Sequence, residues 1–234
     1  MIDETELETI LCVSSNEFKI YLFDNKNQII LYKNNLKIEN SKLKIDLNFL
    51  FKFLEENIFK IEKLSAQFIK NISLIIETNK SLRSTISLKK KNYQEVINKK
   101  KLENILLEAK DLINKNYHSE KILHILIKEF LVDNKNYPIT QNDLKGDYLT
   151  LEVEFILLPN NFIFEIDKIF EKFHIRVKEY FDGYYLKDLF RENEIETPDI
   201  LYKLRKGYNQ NEVVIVPKNP KKLGFFEKFF QLFS

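Results

Sequence analysis

The side chains that most often carry out catalysis are few in this sequence and lie far apart. Ser14 follows Cys12 closely, but no glycine stands beside it to form a nucleophile elbow, and no histidine is near it in sequence. His118, His124 and His174 lack the paired spacing of a metal site. The sequence therefore predicts no catalytic residue, no metal site and no cofactor. It predicts Cys12 as a small core residue and His124 as a half-buried, hydrogen-bonded residue of a strand.

Two charged groups could bind a substrate or a phosphate. Glu152 and Glu154 alternate with apolar residues, which places both on one face of a strand. Such a pair is more often part of a solvated face than a catalytic pair. Lys89–Lys91 and Lys99–Lys101 surround Glu95 and could form a phosphate-binding patch. Because nearly all basic residues of this chain are Lys, we favour a solvated turn followed by the start of a helix.

The composition excludes several classes of protein. The chain has 234 residues, of which 44% are hydrophobic, enough for one domain or one domain with a smaller insert. Its 4 glycines are not clustered, so the glycine-rich loops that cradle nucleotide phosphates are absent. The single Cys excludes a disulfide framework. The net charge of +2 gives no global attraction to nucleic acid, so we expect no nucleic-acid partner.

The sequence also gives an expectation about the compartment. The N-terminal sequence MIDETELETI is acidic, unlike the basic start of a signal peptide. No stretch approaches the ~18 uncharged apolar residues of a membrane-spanning helix. We therefore expect a cytoplasmic protein whose membrane contact is peripheral.

Strand-like and helical patterns alternate up to residue 190, which predicts an α+β fold. The predicted strands are 9–15, 18–24, one from Ile29, 69–77, 82–88, 122–132, 148–158 and 175–180, and the predicted helices are 43–62, 92–113, 160–173 and 182–190. Residues 191–222 are polar and contain Pro198, Pro217 and Pro220. They are predicted to form a mostly extended linker, with one strand at 213–216.

The last residues, LGFFEKFFQLFS, have the pattern of an amphipathic helix, with apolar side chains on one face and Glu227 and Gln231 on the other. Residues 223–234 are predicted to bind an anionic membrane surface as an interfacial helix that lysines precede. The predicted membrane-binding residues are Lys218, Lys221, Lys222, Phe225, Phe226, Lys228, Phe229, Phe230, Leu232 and Phe233. Two alternatives are that this helix docks in a groove of a partner or folds back on the core of its own chain.

Several segments, taken in order, resemble the actin-like cell-division protein FtsA. The opening ILCVSSNEFKIYLFD is similar to the first strand pair of that family. The stretch KILHILIKEFLVDNKNYPITQNDLKGDYLTLEVEFILL is similar to a strand of the form VLHV-P-EF-ID, a loop ending in L-G and a strand carrying L-EVH. The matching positions are Leu123, His124, Glu129, Phe130, Asp133, Leu144, Gly146, Leu151, Glu152 and Val153. The Phe-rich end lies where the family has its membrane-targeting helix.

The resemblance implies a partial actin-like, ribonuclease H-like half-domain at 1–80 and 160–190. It would carry an inserted subdomain at 82–158, made of a small antiparallel sheet and a helix, with a linker at 191–222 and the targeting helix at 223–234. The nucleotide-binding second half of the family has no counterpart. At the first phosphate loop, Ser14, Asn16 and Glu17 offer no glycine for a close backbone approach, and Glu17 adds negative charge. We expect neither ATP binding nor ATPase activity.

These features predict a non-catalytic, membrane-tethered adaptor of bacterial cell division, similar to a truncated FtsA and peripheral on the cytoplasmic face of the cell membrane. The inserted subdomain would recruit cell-division proteins, and the chain could also bind itself or a full-length relative. The family's surface for the tubulin-like protein FtsZ lies mainly in the missing half. The alternative is a soluble protein-interaction module, similar to actin-like pilus-assembly adaptors, whose Phe-rich tail docks on a partner.

Overall fold

The computed structural model describes residues 7–39, 44–191 and 195–213. The predicted C-terminal helix and the residues predicted to bind a membrane lie outside these ranges. The chain divides into two compact units. Unit 1 consists of the described residues of Met1–Ser81 and Pro159–Lys206, and unit 2 of those of Leu82–Leu158 and Gly207–Ser234. Over the same described ranges, no helix is long and apolar enough to cross a membrane.

The elements alternate between strands and helices, as the sequence predicts for an α+β fold. In chain order they are β1 (Leu7–Val13), β2 (Glu17–Asp24), β3 (Ile29–Lys37), α1 (Leu47–Ser65), β4 (Asn71–Ile76), β5 (Leu82–Lys91), α2 (Lys99–Asn116), β6 (Glu120–Val132), β7 (Lys135–Asn136), β8 (Tyr148–Pro159), α3 (Asn160–Glu171), β9 (Arg176–Asp182), α4 (Gly183–Leu189) and α5 (Thr197–Arg205). The mixed α+β class is thereby confirmed.

Unit 1 is built on a five-stranded mixed sheet in the order β3-β2-β1-β4-β9. β2 pairs antiparallel with both β1 and β3, whereas β4 pairs parallel with both β1 and β9. α1 begins where the Asp46 carboxylate accepts hydrogen bonds from two backbone amides, and it ends at Ala66 in the left-handed conformation. This helix is the crossover between β3 and β4.

Different helices cover the two faces of this sheet. On one face, the Phe18 ring of β2 lies 5.9 Å from the Phe53 ring of α1, measured between centroids. On the same face, the Tyr180 hydroxyl of β9 donates a hydrogen bond to Asp167 of α3. The opposite face carries α5, whose Leu201 is fully buried. Unit 1 therefore has a helix–sheet–helix arrangement.

Unit 2 contains a four-stranded sheet in the order β5-β8-β6-β7, with antiparallel β5–β8 and β6–β7 pairs. The apolar face of α2 packs with β6 and β8 in one hydrophobic core. In the middle of β6, Ile127 and Phe130 both face this core, and Lys128 and Glu129 between them are exposed. This interruption of the strand alternation is typical of a β-bulge.

Three sequence predictions differ from the structure. Lys89–Lys91, which the sequence favours as a solvated turn, are the last residues of β5 and pair with β8. The helix predicted at 92–113 begins only at Lys99, because Tyr93 and Gln94 have positive φ and Asn98 caps the helix. The mostly extended linker predicted at 191–222 is wrong for its described part, because α5 is helical. Its Pro198 stands in the first turn, where proline is tolerated.

Candidate functional site

The turn between β1 and β2 stands where the resemblance to FtsA implies a phosphate loop. This turn is closed on itself. The Ser14 amide donates to the Glu17 carbonyl at 3.0 Å, and the Glu17 amide donates to Ser14 Oγ at 3.0 Å. Ser14 Oγ also donates to Asn16 Oδ1 at 2.7 Å, and the Glu17 carboxylate contacts Lys19 Nζ at 2.7 Å. Amides that could otherwise bind a phosphate are thus occupied within the turn.

Helix α5 belongs to the C-terminal part of unit 1. It lies on the face of the sheet that β1, β2, β4 and β9 form together. The strand register places Glu8, Cys12 and Tyr21 on this face, with Ser73 beside Glu179. α5 therefore covers polar and titratable side chains of the central strands. Titratable and hydrogen-bonding groups from several strands thus meet beneath one helix, which makes this cluster a candidate site.

Arg205, in the last turn of α5, is the centre of this cluster. Its guanidinium donates to both carboxylate oxygens of Glu8 at 2.6 and 2.7 Å, to Glu179 at 2.5 Å and to Ser73 Oγ at 3.0 Å. Burial alone would raise the pKa of Glu8, but the hydrogen bonds and charge of Arg205 lower that pKa overall. Burial alone would likewise lower the pKa of Arg205, and Glu8 raises it overall. Both groups are held charged and paired, as in a structural clamp.

The N-terminal end of α5 covers Cys12. The thiol forms a hydrogen bond with the side chain of Thr197, and burial raises the pKa of the thiol to about 12. Such a thiol stays protonated at neutral pH and is a poor nucleophile. Beside it, the Tyr21 hydroxyl donates to Glu196 at 3.3 Å, and Lys33 pairs with Glu196 at 2.5 Å. This cluster therefore holds α5 on the sheet and offers no activated group.

In unit 2, His124 is more buried than the sequence predicts, with 3% of its surface exposed. Its Nδ1 lies 2.6 Å from Glu212 Oε1. The backbone around Glu212 pairs with β6, because Ile127 N donates to Asn211 O and Val213 N donates to Ile125 O, both at 2.8 Å. The sequence predicts a hydrogen-bonded His124, but 88 positions separate it from Glu212, and no local pattern connects them.

The two charged groups singled out in the sequence lie on unit 2. The register places Glu152 opposite Ser87 and Glu154 opposite Thr85, with Lys128 3.7 Å from Glu154. The two glutamates therefore belong to a polar face of the β5–β8 strand pair, and Lys128 lies beside this face.

The lysine runs are partly paired within the unit. Lys90 contacts Glu108 at 2.7 Å, and Lys101 contacts Glu95 at 2.6 Å. Lys101 also donates to Asn92 at 2.7 Å. Lys101 thus joins the start of α2 to the turn before it.

A shallow cavity of about 360 Å³ opens beside the bulge of β6. Polar and apolar groups line it together, among them Lys128, Phe130, Tyr137 and Asn211. It lies between the loop that follows β7 and the segment that pairs with β6. The cavity brings together none of the residues for which the sequence predicts a role in binding.

The sequence reasoning missed Arg205, Glu8 and Glu179, because Arg205 belongs to a segment predicted to be a linker. Nearly all of the 37 basic residues of this chain are Lys. The presence of an arginine could therefore have indicated a site that binds carboxylates. The planar guanidinium is preferred where two carboxylates must be bound together.

Comparisons with known proteins add a fold-level likeness. No protein-family model and no curated protein matches the chain. Among solved structures, it is similar to a PilM–PilN type IV pilus biogenesis complex, at 8% identity and a TM-score of 0.49, over 79% of this chain and 52% of that one. It is similar to the cytoplasmic domain of EpsL, an inner membrane component of the type II secretion system of Vibrio cholerae, at 10% identity and a TM-score of 0.36, over 81% and 59%.

A third similar structure is a Bacteroides thetaiotaomicron protein of unknown function with an actin-like ATPase fold, at 11% identity and a TM-score of 0.33, over 83% of this chain and 61% of that one. The chain thus spans between 52% and 61% of the length of these three structures.

Proposed function

We propose that this chain is a non-catalytic protein-interaction module that acts as an adaptor at a membrane-associated assembly. The observation that carries the proposal is the closed turn between β1 and β2. The Ser14 and Glu17 amides and the Ser14 hydroxyl form hydrogen bonds within the turn, and the Glu17 carboxylate would repel a phosphate. The strand order of unit 1, β3-β2-β1-β4-β9, is consistent with the ribonuclease H-like half-domain that the resemblance to FtsA implies.

The covered face of the unit 1 sheet also supports a binding role over catalysis. α5 occupies this face, and Arg205 and Glu8 are fully engaged with each other. Cys12 is protonated beneath the helix. The titratable groups of unit 1 thereby stabilise the fold, and recruitment would fall to unit 2, whose sheet is inserted between β4 and α3.

The proposal also names a class of partner. The sequence predicts cell-division partners, from the resemblance to FtsA. Two of the three solved structures named above belong instead to a pilus and a secretion assembly, and we therefore place a pilus- or secretion-type partner first and a cell-division partner second.

A nucleotide-binding measurement tests the non-catalytic part. We expect millimolar Mg²⁺–ATP to leave the thermal midpoint of the intact chain unchanged, because a ligand that binds only the folded state would raise it. The matched variant Glu17→Gln removes the negative charge while keeping the size of the side chain. Phosphate release above background, or a raised midpoint for the intact chain, would contradict the proposal.

Partner capture tests the adaptor part. The intact chain and the Phe226→Asp/Phe229→Asp variant would be used as baits in a detergent extract of expressing cells. Loss of a captured protein only in the variant indicates a tail that binds a partner. Equal capture by both baits places recruitment on the rest of the chain, as we propose for unit 2.

A further inference from the structure

β5 forms the outer end of the sheet in unit 2. It pairs with β8 along one edge over all 10 residues, without a shift of register. Among the residues that the structure describes, no backbone hydrogen bond reaches the other edge of β5. Alternate residues of this edge direct N–H and C=O groups outward, which is the template for an added strand.

The other end of the same sheet is protected against strand addition. The burial alternation of β6 is interrupted at Lys128 and Glu129, as is typical of a β-bulge, and β7 is only 2 residues long. Residues 211–213 pair with another part of the β6 edge. Bulges and very short strands are common means of protecting a sheet edge, and β5 has neither, nor a proline.

The charge of β5 limits which strand can pair with it. The strand carries Arg83, Lys89, Lys90 and Lys91 and no acidic residue. If two copies paired antiparallel about the middle of β5 with their cores on the same side, Arg83 would lie opposite Lys89 or Lys91 on the outer face, and like charges directly opposite each other are destabilising. The same charges favour a strand with acidic side chains, so charge both excludes a second copy and selects a partner.

The two faces of β5 make different demands on an added strand. Lys89 and Lys91 are exposed on the outer face, whereas Ile86 and Leu88 are partly buried against the core of unit 2. An added strand continues both faces of the sheet, because its side chains alternate in the same way. Its acidic side chains would lie beside the two lysines and its apolar ones beside Ile86 and Leu88.

We propose that the free edge of β5 binds, by strand addition, an extended segment of a partner protein in which acidic and apolar residues alternate. This inference rests on the proposed function, since it names the segment that an adaptor of this kind recognises. Main-chain hydrogen bonds supply affinity, and the alternating side chains supply selectivity.

The test measures the binding of a fluorescent peptide to the full chain. The peptide has the same length as β5, and Glu alternates with Val along the peptide. We expect the intact chain to bind this peptide, and a peptide with Lys in place of Glu not to bind. Lys89→Glu/Lys91→Glu should weaken binding at least tenfold, since both side chains are exposed and their change leaves the core intact. The control Lys60→Glu/Lys63→Glu alters exposed lysines of α1 by the same net charge and should leave binding unchanged.

Amide hydrogen exchange separates strand addition from loose electrostatic adsorption. Strand addition should protect alternate amides of Leu82–Lys91 when the peptide is bound. The proposal is overturned if the Glu–Val peptide does not bind, if it binds without protecting β5, or if both double variants lose affinity equally. Protection of β5 without peptide, together with a dimer in solution, would assign the edge to a second copy instead. None of these results depends on ATP binding. A failure of strand addition at β5 therefore leaves the proposed function standing, and the two failures are distinguishable.

Discussion

At the scale of single residues, Arg205 is the side chain on which the position of α5 depends most. It binds Glu8 through both carboxylate oxygens and also contacts Glu179 and Ser73. The Glu8 side chain is only 11% exposed, so removing Arg205 would leave a buried, unpaired carboxylate. Removal of one partner of a buried ion pair costs roughly 3–5 kcal/mol.

We therefore expect Arg205→Met to lower the free energy of unfolding by about 3 kcal/mol, the lower end of that range, because 29% of the Arg205 side chain remains exposed. Urea denaturation measures this change as a lower midpoint with an unchanged slope. The control is Arg191→Met, which removes a pair with Asp188 whose side chains are 75% and 45% exposed. That control should change stability by less than about 0.5 kcal/mol. Equal losses in both variants would show that the clamp adds nothing to an ordinary surface pair.

The same cluster predicts how stability changes with pH. Arg205 lowers the pKa of Glu8 in the folded chain below its ordinary value of 4.5. The stabilisation is therefore fully present above pH 4.5, and it is lost as the pH falls through 4.5 towards the folded pKa.

Unfolding free energies measured from neutral pH down to about pH 3 should thus fall less steeply in Arg205→Met than in the intact chain. Glu8→Gln should show the same shallower fall, since it removes the titrating group itself. Parallel pH profiles for all three proteins would contradict the assignment to this pair.

At the scale of elements, Cys12 provides a built-in report on whether α5 is docked. Its thiol lies beneath Thr197, and burial raises its pKa to about 12, so it should react very slowly with a thiol reagent at pH near 8. Leu201 is fully buried on the same helix, and an aspartate at that position cannot remain in an apolar contact.

We expect Leu201→Asp to increase the labelling rate of Cys12 at least tenfold while the rest of the sheet stays folded. Circular dichroism would show whether the strands persist. A control substitution at an exposed position of α5, Lys203→Asp, should leave the rate unchanged. Labelling of the intact chain as fast as in denaturant would show that α5 does not cover Cys12.

The periodicity of apolar residues predicted most of the helices and strands. It did not predict the segment whose structure depends on contacts between residues distant in sequence. β2 and β8 are close to their predicted limits because their apolar runs are long enough to identify them. α5 was missed because only two of its 9 residues, Pro198 and Leu201, are buried, and its stability depends on Arg205 contacting strands distant in sequence. Local patterns do not reveal an ion pair between Glu8 and Arg205, which 197 positions separate.

The candidate sites show the same limit. The resemblance to FtsA indicated the β1–β2 turn as the position of a phosphate loop, but only the structure shows the hydrogen bonds of Ser14 within it. The lysines of β5 were visible in the sequence, yet their significance depends on β5 being the outer strand of its sheet. Strand order is a tertiary property, and composition cannot supply it.

At the scale of the whole molecule, the proposed adaptor must reach a membrane surface in order to act there. The sequence predicts that residues 223–234 bind an anionic membrane surface. Each Phe of an interfacial helix contributes roughly 1.5 kcal/mol on partial burial, and each nearby Lys adds about 1 kcal/mol on an anionic leaflet. Ordering the helix opposes a large part of this gain, so binding should be reversible.

Co-sedimentation with anionic vesicles is the direct measurement. We expect the intact chain to sediment, and a chain ending at Pro220 and the Phe226→Asp/Phe229→Asp variant to remain in the supernatant, because both lose the apolar face. Glu227→Gln, on the polar face, should sediment like the intact chain. Added salt should weaken binding without abolishing it, since lysines supply only part of the affinity. If the intact chain also stays in the supernatant, the Phe-rich segment is instead a protein-binding helix, and a peptide of residues 223–234 becomes the bait for its partner.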